Sequence, residues 1–310
     1  MNTTPILAVS DDGEGSLATH RTGNPRPAGY APRNTRAADA RPGIFSAGIA
    51  SIGMEIKAYF RMPDTVFFTF LFPVLMLGIF GVAFESVGEI GGGPDGEDGI
   101  TMAAYYLPGM VAAAILLTGV QNLAVDIARE KGEGWLRRLG GTPISPMSYF
   151  IGKAGMILIT SIAQIALLFA FARFGLGVEL PTEPDLWLRF AWLFLLGIAT
   201  MTLLGIALSA VPRSARSATA VVLPIVLLLQ FISGVYLQFS MLPEWLQNVA
   251  SFFPLKWLAQ GMRSVFLPES FAAAEQSGSW DLGLVALVLA GWLVVGLVIS
   301  LLTFRWVRRS

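Results

Sequence analysis

Apolar residues in this chain gather into long runs separated by short polar connections, at about 66–84, 103–125, 154–172, 187–210, 218–238 and 282–304. A hydrocarbon core of about 30 Å takes roughly 20 apolar residues per helix, so the pattern predicts six membrane-spanning helices. Leu107-Pro108-Gly109 interrupts the second run and Pro224 the fifth. A membrane helix tolerates such breaks where neighbouring helices or water take up the freed carbonyls. Ahead of the first run, residues 44–61 set Ile44, Ile52, Ile56, Tyr59 and Phe60 among Glu55, Lys57 and Arg61. That mixture suits a helix lying along the membrane interface and leading into the bilayer.

Residues 1–43 hold Ser, Thr, Pro, Gly, Asn and charges of both signs without apolar periodicity, and are expected to form a disordered cytoplasmic tail. MNTTPILAVSDDGEG has neither the basic start nor the apolar core of a secretory signal. The expected fold class is therefore an all-α polytopic membrane domain over 44–310. Composition agrees, with 54% hydrophobic residues and 14% charged against roughly 25% charged in a soluble domain. The formal net charge is zero, there is no Cys, and the single His, His20, lies in the tail. Attraction to nucleic acid, disulfides and thiolate chemistry are excluded, and no metal site is expected.

Charge in the connections orients the spans. Residues 85–101 carry Glu85, Glu89, Asp95, Glu97 and Asp98 with no cation, whereas the next connection carries Arg129, Lys131, Arg137, Arg138 and Lys153. Acidic residues balance Arg173 and Arg189 in the third connection, Arg213 and Arg216 stand alone in the fourth, and the chain ends in Arg305, Arg308 and Arg309. Cations alternate sides in step with the spans, so the positive-inside rule puts both termini and the 126–153 loop in the cytoplasm of a multi-pass protein of the cytoplasmic membrane.

The longest connection, 239–281, then lies outside. Leu242, Trp245, Leu246, Val249, Phe252 and Phe253 recur at helical spacing, with Pro243 placed to start a helix and Pro254 to end it. At about 11 residues this element is too short to span. It is expected to be re-entrant or interfacial, with Trp245 and Trp257 at headgroup depth.

Residues 129–143, REKGEGWLRRLGGTP, form the largest polar island on the cytoplasmic side. A helix over 130–139 would put Lys131, Trp135 and Arg138 on one face, an apolar anchor between cations. Gly132 and Gly134 weaken such a helix by up to about 1 kcal/mol each, so it needs a partner to be well ordered. Gly140-Gly141-Thr142-Pro143 stops it. A cytosolic ATPase and an anionic lipid surface are the two candidate occupants.

That run, followed by Ile144-Ser145-Pro146 and then Gly152-Lys153, resembles the cytosolic signature of ABC type-2 transporter permeases. Glu130, Lys131, Gly134, Leu136, Arg138, Leu139, Thr142, Pro143 and Lys153 stand where the family pattern has them, whereas Gly132 and Trp135 depart from it. The outer segment with Ser233-Gly234, Leu242-Pro243, Trp245-Leu246, Phe253-Pro254-Leu255 and Arg263 is similar to the family's re-entrant region before the last span. The resemblance implies a homo- or heterodimer of permeases resting on separate ATP-binding cassette subunits. ATP and Mg would sit on those partners, and the stretch with Glu130, Lys131, Glu133, Trp135, Leu136, Arg138, Leu139, Thr142 and Pro143 would couple to them. The sequence agrees that the motor lies elsewhere, since no G-x-x-x-x-G-K-[ST] run occurs.

Gln121, Asn122, Gln164 and Gln230 are amides in or near the predicted spans, and either line a substrate path or hydrogen-bond between helices. Gly205 and Ser209 make a small-xxx-small spacing for close packing, within one subunit or at a dimer seam. No span has a carboxylate or His near its middle, which disfavours a proton relay. A membrane-bound enzyme would have only carboxylates such as Asp126 or Glu85, unpaired, to work with. The function expected is therefore a non-enzymatic permease subunit of an ATP-driven exporter of a hydrophobic or amphipathic substrate such as a drug, an antibiotic or a lipid. The alternatives are an ion-gradient-driven carrier and an exporter of polysaccharide or lipid-linked precursors.

Overall fold

The computed structural model describes residues 44–91, 99–135, 138, 146–212 and 214–303. The expected tail 1–43 and the signature residues Leu136, Leu139, Thr142 and Pro143 lie outside the described residues. The described elements are α1 (Ile44–Phe60), α2 (Pro63–Ala83), α3 (Met102–Gly132), α4 (Met147–Gly175), α5 (Pro184–Leu208), α6 (Ala215–Ile232), α7 (Glu244–Ser251), α8 (Pro254–Phe266) and α9 (Leu282–Thr303). A lone antiparallel bridge joins Ile90 to Ile100.

Five of these helices, α2, α3, α4, α5 and α9, are long and apolar enough to cross a membrane. The fifth of the six predicted spans is the shorter one. Instead of running over 218–238 it begins at a Ser214–Ser217 capping box and stops at Ile232, because Ser233 and Gly234 turn the chain. Its 18 residues reach about 27 Å, just under the apolar thickness of a bilayer. Pro63 opens α2 at its first turn, and Thr101 Oγ1 caps α3 by accepting from the Ala104 amide.

Helix α3 is the axis of the bundle. Nearly every residue from Met102 to Val120 is buried, whereas α2 and α9 leave most of their apolar surface uncovered, as in Phe68, Ile79, Leu287 and Leu301. Backbones meet where α3 crosses α5: a Cβ on Gly205 would stand 2.1 Å from the carbonyl oxygen of Gly119, so only glycine fits. The small-residue spacing noted at Gly205 thus serves packing within the chain. Around that crossing α3 departs from α-helical pitch, taking a π turn over Leu117–Asn122. Hydroxyls close the α5–α9 seam, Thr200 Oγ1 donating to the Leu289 carbonyl and Ser300 Oγ to that of Leu203.

At the end of the bundle where α3 begins, α7 and α8 form a cap. Pro243 precedes α7, as its position in the sequence predicts; Pro254, expected to end that helix, instead opens a second one, α8, after α7 has closed at Ser251. The second helix, α8, was not among the elements expected from the sequence, and it is buried all round, from Pro254 to Val265. Trp257 is therefore not at a free surface as expected. It is 8% exposed and donates its indole N–H to the Ser251 carbonyl, whereas Trp245 is 66% exposed. Arg263 is buried too, paired through Nε with Glu275 Oε1 at 2.5 Å and donating to the Gly234 carbonyl. Beside it, Lys256 bonds Gln260 and lies 3.7 Å over the Trp257 ring. Burial pushes the Lys256 ammonium down to about 8.

Candidate functional site

The last turns of α3 put Asp126 and Glu130 on one face, four residues apart, and the first turns of α4 do the same for Tyr149 and Lys153. These faces meet. Lys153 is 1% exposed, and its ammonium lies 2.5 Å from Asp126, 2.6 Å from Glu130 and 2.8 Å from Glu55 on α1. The Tyr149 hydroxyl donates to the second oxygen of Glu130 at 2.6 Å. The three carboxylates are close enough together to hold a metal ion, but the chain itself supplies the cation at their centre. A buried cation with three anionic partners is stable only while those partners are in place, so the cluster fixes α1, α3 and α4 relative to one another.

Asp126 connects this cluster to a second feature. Its other oxygen accepts from Arg129 at 3.0 Å, and both residues line a cavity of about 660 Å³ between α2, α3, α4 and α6. Most of its wall is apolar, including Phe68, Phe72, Leu117, Met156, Leu223 and Leu227. Polar groups come from Thr69, Thr118, Gln121, Asn122, Thr219 and Gln230, and the charged ones, Asp64, Asp126 and Arg129, gather where α2 begins and α3 ends. The π turn supplies Thr118, Gln121 and Asn122 together.

Of the four amides singled out in the sequence, Gln121, Asn122 and Gln230 line this cavity. Asn122 is tied by its amide to Thr69 Oγ1 at 2.8 Å. Gln164 is different. Fully buried, it donates to the Thr69 carbonyl at 2.6 Å and accepts from Thr118 Oγ1 at 2.7 Å, so it ties α2, α3 and α4 together and supports two residues of the wall.

The coupling stretch divides in the same way. Glu130 turns inward to Lys153 and Tyr149, while Lys131, Glu133, Trp135 and Arg138 are exposed, Trp135 at 51%. The single helix expected over 130–139 is interrupted: α3 closes at Gly132, and Gly134, at φ +75°, reverses the chain before the Trp135 turn. Glycine adopts that left-handed conformation without the Cβ clash other residues suffer. At the opposite end, Pro243, Trp245, Pro254 and Arg263 all belong to the cap, outside the cavity. Lys153 was read in the sequence as a loop cation and as a position of the family signature, without a partner assigned to it. The two i, i+4 pairs, Asp126/Glu130 and Tyr149/Lys153, were the signal that pointed to its partners.

A helical bundle in which five of the described helices are long and apolar enough to cross a membrane has the make-up of a polytopic membrane protein. The ABC-2 type transporter family matches residues 49–267, most of the chain, and the chain belongs to that family. It is 25% identical over 247 residues to ycf38 of Cyanophora paradoxa, named as a transport permease, covering 79% of this chain and 81% of that one. It is 21% identical over 178 residues to YbhR of Escherichia coli K12, named as a multidrug ABC transporter permease, covering 57% of this chain and 48% of that one. With ABC transporter G family member 20 of Dictyostelium discoideum it shares 25% identity over 205 residues, 65% of this chain and 26% of the larger protein.

Proposed function

We propose that the chain is the membrane subunit of an ATP-driven exporter, paired with a second permease and powered by ATP-binding cassette subunits that dock on residues 130–143. In this reading α6 completes six spans, both termini face the cytoplasm of the cytoplasmic membrane, and ATP with Mg stays on the partner chains. The observation that carries the reading is the sharing of Asp126. Movement of the exposed stretch pulls on Glu130 one or two turns away, Glu130 and Asp126 share Lys153, and Asp126 holds Arg129 at the cavity. A motor pushing on Trp135 and Arg138 would thereby act on the cavity wall. The mostly apolar wall favours a hydrophobic or amphipathic cargo such as a drug, an antibiotic or a lipid, and the naming of YbhR as a multidrug permease agrees with it.

The test is to co-purify the chain with its ATPase subunit and measure association and ATP hydrolysis. Trp135→Ala removes an exposed aromatic anchor and is expected to weaken association by about 2 kcal/mol, roughly thirtyfold, with an unchanged melting temperature; Arg138→Ala should act in the same direction. Full-rate transport by the isolated chain on an ion gradient, with no ATPase present, would sink the proposal.

A further inference from the structure

The cavity has a feature that packing does not require. Gln230 is fully buried, and its Oε1 accepts from the Tyr236 hydroxyl, yet its Nε2 finds no partner among the described residues. Across the same cavity wall, the buried Oε1 of Gln121 is likewise without a partner. A buried amide atom left unsatisfied costs the full desolvation of that group, and a fold under no other constraint would place Leu or Met at such positions. Neighbouring amides show the contrast: Asn122 and Gln164 are held by Thr69 and Thr118. Of the two unpartnered amide atoms one is a donor and the other an acceptor; the Tyr59 hydroxyl, also in the wall, is a third buried polar atom without a hydrogen bond among the described residues.

Resting on the exporter reading, we propose that Gln121 and Gln230 are the specificity-determining pair of this cavity. They select an uncharged amphiphile that carries both a hydrogen-bond donor and an acceptor, such as a secondary amide, beside an apolar body. The size fits, since 660 Å³ lies within the range that encloses a drug-sized molecule. The body would lie against Phe68, Phe72, Leu223 and Leu227. A net charge is disfavoured because the charged lining groups sit at one end, where Asp126 is already held by Lys153 and Arg129. Deeper in, nothing would neutralise an ion. A site whose polar groups need partners rejects the analogue that lacks them.

The full chain in lipid nanodiscs, without ATPase, tests this with three dansyl probes of equal length. One joins the dye to an alkyl chain through a secondary amide, one replaces the amide by two methylenes, and one carries a quaternary ammonium at the amide position. Empty nanodiscs give the partition background. The amide probe is expected to bind roughly tenfold more tightly than the methylene probe, and more tightly than the cationic one. Gln230→Met, close in volume, should cut that preference to about threefold, and Gln121→Met with Gln230→Met should abolish it. Because Gln230 is in the core, Gln121→Met, at a partly exposed residue, serves alone if the buried variant does not fold. Equal binding of amide and methylene probes, a preference that survives both substitutions, or tighter binding of the cationic probe would overturn the proposal. Probe preference in the chain alone, with ATP hydrolysis of the co-purified ATPase complex unchanged when the amide probe is added, would support the pair and count against the exporter reading instead.

Discussion

The two ends of the bundle each bury charge, and they do it in opposite ways. Where α3 ends, one lysine serves three carboxylates drawn from positions 55, 126 and 130. Where α3 begins, Arg263 pairs with a single carboxylate, Glu275, and the neighbouring cation, Lys256, bonds an amide, Gln260, all within one stretch of chain. The first cluster ties elements far apart in sequence and adjoins a surface that a partner can reach. The second staples a local cap shut with a pair, Arg263 and Glu275, and with Lys256 held by an amide and two rings, Phe239 and Trp257. The charge that joins distant helices is spread across three of them, and the charge that closes the cap is kept within residues 256–275.

If that contrast is right, breaking the first cluster has the largest effect. Lys153→Met leaves three partly buried carboxylates of which only Asp126 keeps a cation, Arg129, and should cost about 3 kcal/mol, read as a lower melting temperature of the purified chain. Lys153→Ala sharpens the point, because the emptied centre has three carboxylate oxygens in ligating range of one another. Added Mg²⁺ or Ca²⁺ should recover part of the lost stability in that variant and none in the wild type. No recovery would mean that the carboxylates spread apart once the lysine is gone.

Next comes the cap. Arg263→Met and Glu275→Gln each leave one half of a buried pair uncompensated and should cost about 3 kcal/mol singly, while the double variant should cost clearly less than the sum. Strict additivity would show that the two do not depend on each other. Neither change should alter ATPase association, which is where the two ends differ.

The smallest effect is on pH. Lys256 titrates near 8 in the folded cap against an ordinary value of 10.5, because burial disfavours its charged form. Below 8 both folded and unfolded forms carry the proton, and the penalty of burying it is fully present. Between about 8 and 10.5 only the unfolded form keeps the proton, so stability rises with pH over that window. Hydrogen exchange of α8 amides, corrected for intrinsic rates, should show increasing protection across it in wild type and not in Lys256→Met. The same slope in both would place the titration elsewhere.

Much of this architecture was legible in the apolar runs, since a bilayer demands length and hydrophobicity from each segment separately. The fifth run failed in length because two small residues, Ser233 and Gly234, outweighed the apolar residues beyond them. Helix α8 was missed for a different reason: its polar stripe, Lys256, Gln260, Arg263 and Ser264, is buried with the rest of the helix, and such a stripe reads in sequence as a solvated face. Gln164 and Lys153 were visible as residue types but not as roles. Whether an amide faces a cavity or a neighbouring helix depends on the rotation of each helix about its axis, which periodicity gives only approximately.

That rotation has an identifiable source in the π turn at Leu117–Asn122. A wide turn holds about one residue more than an α turn, and each residue advances an α-helix by about 100°. Everything beyond Asn122 is therefore phased about a quarter-turn or more from where an uninterrupted helix would put it. Asp126 and Glu130 face Lys153 in this phase; with one residue fewer in the turn they would point elsewhere. Removing a single residue from 117–122 thus amounts to re-indexing a shaft, leaving the helix intact while its two ends fall out of step.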